Sequence, residues 1–325
     1  MKRNRFIGLF CLIFLSLLVY TPAYGAWVPG GLAGQDVTAL AEDPATATAW
    51  YAGTANGEVY KYTDANPVWT SSSTGLPVGV GLISMSINPS NPNIVYAGLN
   101  GSGVYKTIDG GLNWFYAGLT GLSIRSIELD PYNPSIVFAA TNSGIYKSSD
   151  NGVNWVAVLS NIDAKKVSLN PADFNLIPLP TQTNIIYAAA IGGLHKSMDG
   201  GSIWSQLNTT GLPSQNFSTV IVASDTTTVY AGTIDAGIFK SVDSGSIWTA
   251  SNNNLGNLNI KSLTFHPKFS SSILAVTGNG IYRTDHSGQD WYSFNDGNTA
   301  TMTNAAAFLT PQPSYILAGT ADGVI

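Results

Sequence analysis

Tryptophan recurs along this chain on a fixed beat, at positions 27, 69, 114, 155, 204, 248 and 291, spaced 41 to 49 residues apart; only Trp50 falls off it. A second landmark keeps the same beat: Tyr51-Ala52-Gly53-Thr54, Tyr96-Ala97-Gly98, Phe138-Ala139-Ala140-Thr141, Tyr187-Ala188-Ala189, Tyr230-Ala231-Gly232-Thr233, Leu274-Ala275-Val276-Thr277 and Leu317-Ala318-Gly319-Thr320. A third follows it closely, from Gly57-Glu58-Val59-Tyr60-Lys61 and Gly103-Val104-Tyr105-Lys106 to Gly280-Ile281-Tyr282-Arg283. Self-similarity at such a period means that one small unit is copied and stacked.

Each unit reads as four short strands. The first ends before a proline, as in Ile83 to Pro89 and Ile124 to Pro131, because proline has no N–H to give the ladder. The Tyr-Ala-Gly-Thr strand follows. Turns such as Ala55-Asn56-Gly57 and Asn142-Ser143-Gly144 then reverse the chain, since Asn and Gly tolerate positive φ. The Gly-apolar-aromatic-Lys strand is third, and the tryptophan opens the fourth. Four strands in about 44 residues, copied seven times, predict an all-β, seven-bladed β-propeller over residues 26–325. The rungs are longer than those of an open solenoid. Trp27 to Leu32 matches Trp114 to Leu119, so an N-terminal strand is expected to complete the last blade. The chain stops at Ile325 inside a third strand, which predicts further residues beyond it.

Residues 1–25 read as a cleavable export signal. Lys2, Arg3 and Arg5 precede the apolar run Phe6 to Tyr20, and Ala23-Tyr24-Gly25 is a small-x-small cleavage site. The expected location is secreted or periplasmic. Cys11, the single cysteine, leaves with the signal, so neither a disulfide nor a thiolate is available afterwards. No second apolar run of transmembrane length follows. What remains holds 11 basic against 19 acidic residues and two arginines, Arg125 and Arg283, which argues against nucleic acid as a partner. The three histidines, His195, His266 and His286, fall in three different units, so no metal site and no cofactor is expected.

Four turns before the tryptophans share one pattern: Thr107 to Trp114, Ser148 to Trp155, Ser197 to Trp204 and Ser241 to Trp248 each carry Ser/Thr, Asp two on, Gly two further and Trp three further. The pattern resembles the Asp-box, or bacterial neuraminidase repeat. Asp64 keeps its place before Trp69 although Tyr62 and Asn66 replace the hydroxyl and the glycine, and His286 stands where Asp belongs before Trp291. Asp64, Asp109, Asp150, Asp199 and Asp243 therefore read as turn formers, because such carboxylates accept N–H bonds from the residues just after them. The tryptophans are expected between blades. In proteins of this family the box lies on the outer rim, away from the functional face.

The resemblance branches. Sialidases clamp a sugar carboxylate with three arginines; two remain here, and lysine does not replace a bidentate guanidinium. The repeat grammar is nearer to xyloglucan-cleaving glycosidases, whose resemblance implies two catalytic carboxylates. One of these would directly follow the Thr of the first unit's second turn, where this chain has Ala55. Those enzymes usually carry two propellers. Asp235 and Asp322 lie in comparable turns, and Asp163 and Asp36 precede inner strands; Asp163 and Asp235 are the candidate catalytic residues. The photosystem II assembly factor is also similar in its repeats, but it presents an arginine-rich face. Sortilin-type receptors depend on cysteine-rich modules absent here.

The functional expectation is a binding or scaffold propeller for a protein or polysaccharide, monomeric, with a β-glucan hydrolase as the alternative. Its functional face should carry the loops into the first strands and the turns between second and third strands. Arg125, Lys165 and Lys261 enter inner strands and are the candidate channel-lining residues. The long entries Thr70–Leu82, Ser205–Asn216 and Thr249–Asn259 lead to that face, and the insert Ala172–Thr183 falls on the opposite one.

Overall fold

The computed structural model describes residues 30–44, 48–169, 185–295, 303–308 and 316–325. Residues 1–25, read above as an export signal, Trp27 and the insert 172–183 lie outside them. The described residues form six four-stranded antiparallel sheets and one three-stranded sheet, each ordered as in sequence from an inner to an outer strand. The chain is a seven-bladed β-propeller. Its inner strands are Val37–Glu42, Leu82–Ile87, Ile124–Leu129, Ala164–Leu169, Phe217–Val222, Ile260–Phe265 and Thr303–Phe308. Neighbouring inner strands touch in order, and the seventh touches the first, which closes the ring.

The N-terminal segment pairs with the last blade as its sequence suggests. Gly30 donates to the Val324 carbonyl at 2.7 Å, and Val324 donates back to Gly31 at 2.9 Å. This antiparallel bridge lies beside the third strand, Gly323–Val324.

The apolar core is divided among the seams between blades. The described residues form seven buried clusters, one at each seam. Between blades 1 and 2, Tyr51 and Val59 of one pack with Leu82, Val95 and Trp114 of the other. An isolated blade would expose both of these faces, so burial at the seams supplies the main driving force. The second strands are buried along their whole length in blades 2 to 6, which explains their Val/Tyr/Ala/Gly composition.

The three sequence landmarks meet at one seam device. In blade 1, the Tyr51 hydroxyl and the Lys61 ammonium both donate to the Gly110 carbonyl of blade 2, at 2.9 and 2.8 Å, with the ammonium 5.3 Å from the Tyr51 ring centre. Tyr96 and Lys106 hold Asn151 in the same way, and Tyr230 and Lys240 hold Ser287. The acceptor is the residue after the turn Asp, or after His286 in blade 6. It adopts a left-handed conformation (φ 71° at Gly110, 62° at Asn151), which turns its carbonyl toward the preceding blade.

The turns before the tryptophans are closed by their own side chains. The Thr107 hydroxyl donates to Asp109 Oδ1 at 2.7 Å and accepts from Gly111 N, while Asn113 donates its backbone and side-chain N–H groups to the same carboxylate. These bonds, led by those from Asn113, hold the Asp109 carboxyl down to about 2; Asn154 does the same for Asp150. Before Trp291 the polarity is reversed: His286 faces Asp290 at 2.9 Å, with Thr284 still accepting from Gly288 N. Before Trp69 the hydroxyl's place is filled by Tyr62, which packs on Trp50 and Trp69. This gives the one off-beat tryptophan its role.

Trp114 and Trp291 are buried between blades and donate to the Ser72 and Ser251 carbonyls of the preceding outer segment. Trp155 and Trp69 also reach back, to Ala117 and Gly30. Trp204 and Trp248 are half-buried in their seams and donate to their own turns, at Gly201 and Gly245.

Candidate binding site at the channel mouth

Every inner strand starts with a β-bulge against its second strand. The extra residue is Thr38, Ile83, Arg125, Lys165, Ser218, Lys261 or Asn304 in blades 1 to 7. A bulge turns one side chain away from the sheet's regular alternation. All three residues expected from sequence to line the channel occupy this one position. They border a single cavity of about 600 Å³ on the ring axis, together with Ile83, Met85 and Asn304.

Four bulge residues tie the ring together at its inner rim. Thr38 donates to the Leu82 carbonyl at 2.6 Å, Ser218 to Ile260 at 2.6 Å, Lys261 to Thr303 at 2.8 Å and Asn304 to Val37 at 3.1 Å. Each acceptor is the first inner-strand residue of the next blade. Ile83 has no donor, and Ser84 beside it bonds Ile124 instead.

Arg125 and Lys165 depart from that rule and converge on Asp163. The Lys165 ammonium lies 2.5 Å from Asp163 Oδ2, while Arg125 Nε lies 3.7 Å from Oδ1. At 3.7 Å the second pair attract as charges but lie beyond hydrogen-bond reach. Both facing atoms are buried without a hydrogen-bond partner. Deeper along the same seam, Lys166 pairs with Glu128. Burial pushes the Lys261 amine below its ordinary value, an effect partly opposed by Asp36.

The face follows the sequence expectation. Ala55, Ile191 and Ile234, from turns between second and third strands, donate to the carbonyls of Asp36, Asp163 and Asn216 at the entries to inner strands. Neither candidate catalytic aspartate lines the cavity: Asp235 sits exposed in such a turn of blade 5, and Asp163, half-buried ahead of the inner strand of blade 4, reaches it only through its ion pairs with Lys165 and Arg125. Asp36 accepts from Asn304 across the closing seam at 2.8 Å, and Asp322 is exposed in its turn. His195 lies in a third strand, with its imidazole pushed down by burial. The His266 ring accepts from the backbone of Lys268 and Phe269, the role that Asn88 plays in blade 2. Among the described residues no group of three potential metal ligands forms.

Sequence reading missed the Glu128–Lys166 pair and the bulge that gives Arg125, Lys165 and Lys261 a common position. The signal was present: each lies directly after the first residue of its inner strand.

No family model and no curated protein matches the chain. Solved structures do. The Niastella koreensis GH74 enzyme aligns over 91% of this chain and 53% of its own, at 17% identity and a TM-score of 0.66. The GH74 xyloglucanase from Xanthomonas campestris aligns over 87% and 50%, at 15% identity and 0.67. YCF48 bound to D1 peptide aligns over 90% of this chain and 93% of that chain, at 16% identity and 0.68. The chain thus spans about half the length of the GH74 enzymes and nearly all of the YCF48 chain. At these identities, what is shared is the propeller fold.

Proposed function

We propose that this chain is an exported propeller that binds a protein or polysaccharide partner at the channel-mouth face without cleaving it, and that it acts as a monomer outside the cytoplasm after removal of residues 1–25. The observation that carries the reading is the cavity on the ring axis, with Arg125, Lys165 and Lys261 brought to it by the same bulge on three inner strands. A cavity with a few convergent polar groups is the default place for a ligand in a closed ring. The YCF48 structure with its D1 peptide supports a protein partner, and the GH74 xyloglucanase supports a polysaccharide. Among the described residues no helix is long and apolar enough to cross a membrane.

The hydrolase reading keeps the likeness to GH74 enzymes in its favour. It would require Asp163 or Asp235 to work as half of a carboxylate pair flanking a scissile bond. The Asp163 carboxylate is instead engaged by Lys165 and Arg125. The test is capture of soluble β-glucans and of periplasmic or secreted proteins on the immobilised chain, compared with the triple variant R125A/K165A/K261A. Retention that the variant loses supports the proposal. Retention unchanged in the variant places the site elsewhere, and release of oligosaccharides that Asp163→Asn or Asp235→Asn abolishes makes the chain an enzyme.

A further inference from the structure

The opposite face carries a second feature, built from the same turns that hold the blades together. In blades 2 to 5 the turns before the tryptophans present Leu112, Val153, Met198, Ile203, Val242 and Ile247, each between 66% and 74% exposed. The scaffold does not require this. The matching turn of blade 6 carries Asp285, Gln289 and Asp290, and it still closes through Thr284. Single exposed apolar residues are ordinary, but six at repeated positions of four consecutive blades are not scattered.

Three properties of the arc define its partner. Equivalent positions in a closed ring lie at one height along its axis, so the tips meet a flat surface together. Three of the six apolar residues have their backbone N–H groups bonded within the turn: Val153 to Asp150, Ile203 to Asp199 and Ile247 to Asp243, at 2.9 to 3.1 Å. These three can therefore leave water without stranding a donor, which an apolar phase would otherwise penalise. The charges shown around the tips are carboxylates, because Lys106, Lys147, Lys196 and Lys240 fold back onto seam carbonyls. Carboxylates oppose an anionic surface and complement one whose outermost groups are ammonium.

We propose that this arc seats on a zwitterionic phospholipid surface, with the apolar tips at the acyl boundary and the turn carboxylates among the headgroup ammonium groups. The seat is independent of the channel mouth and leaves that face turned away from the lipid.

Flotation with phosphatidylcholine vesicles tests it. The protein should float with them, and vesicles doped with phosphatidylglycerol should hold less. L112S/V153S/I203S/I247S should partition at least about tenfold more weakly, given the apolar area removed. These four side chains face solvent, so near-UV circular dichroism should remain that of the parent. R125A/K165A/K261A should float like the parent, which separates this proposal from the channel reading. Failure to float, flotation unchanged in the serine variant, or tighter binding to phosphatidylglycerol would overturn the seat. So would self-association of the parent that the serine variant loses, since the arc would then join copies of the chain.

Discussion

In the rim turns of blades 2 to 5 the Asp is at least partly exposed, yet it is held in its charged form by donors two to four residues away. The linkage has a definite sign. Asp109 and Asp150 titrate near 2 in the folded chain and at their ordinary carboxylate value near 3.8 when unfolded. Their stabilisation is complete above the unfolded value and is lost as pH falls from there toward 2. The melting temperature should fall across that window, and D109N/D150N should flatten the fall while lowering the plateau. The turn glycine is constrained as tightly. Gly111 has φ 88°, and a Cβ there would lie 2.2 Å from Ser72 Oγ. Gly111→Ala should cost about 1–3 kcal/mol in urea unfolding, from backbone strain and displacement of Ser72.

At the scale of the blade, the Tyr–Lys clamp turns a recurring sequence into a recurring seam. Blade 3 supplies a natural deletion: Phe138 stands where its neighbours have tyrosine, and Lys147 alone holds Gly200, at 2.7 Å. Phe138→Tyr should therefore stabilise the ring by about 0.5–1.5 kcal/mol, and Tyr230→Phe, which removes the bond to Ser287, should destabilise it by a similar amount. Paired denaturant melts of the two variants decide the point. The strands were legible in the sequence because each carries its own signal: a proline after the first, Gly or Asn in the hairpin, and tryptophan at the fourth. The clamp was not, because Tyr51 and Gly110 stand 59 residues apart in different copies, and only their spatial stacking brings them together. The channel residues were half legible. Arg125, Lys165 and Lys261 stood out as charges entering apolar strands, but the ion pairing at Asp163 depends on two neighbouring bulges that no single copy reveals.

Across the whole molecule, the seam between blades 3 and 4 differs from the rest at its inner rim. Arg125–Asp163 and Lys166–Glu128 are its inner-rim charge pairs, where five other seams use neutral or amine donors to carbonyls. These side chains are about a third exposed, so their contribution is small and screened by salt. R125A alone should accordingly unfold within about 1 kcal/mol of the parent; the triple variant also loses the Lys261–Thr303 bond, so near-UV circular dichroism of that variant separates loss of binding from loss of fold. Both faces exist only because the ring is closed, and closure joins the contact of the seventh and first inner strands to the pairing of Gly30 and Gly31 with Val324. Native-state hydrogen exchange at the Val324 amide measures that pairing directly. The closed ring predicts protection comparable to that of Leu99, in the middle of blade 2. Exchange at the rate of an exposed loop would contradict the closure of the last blade by the N-terminal segment.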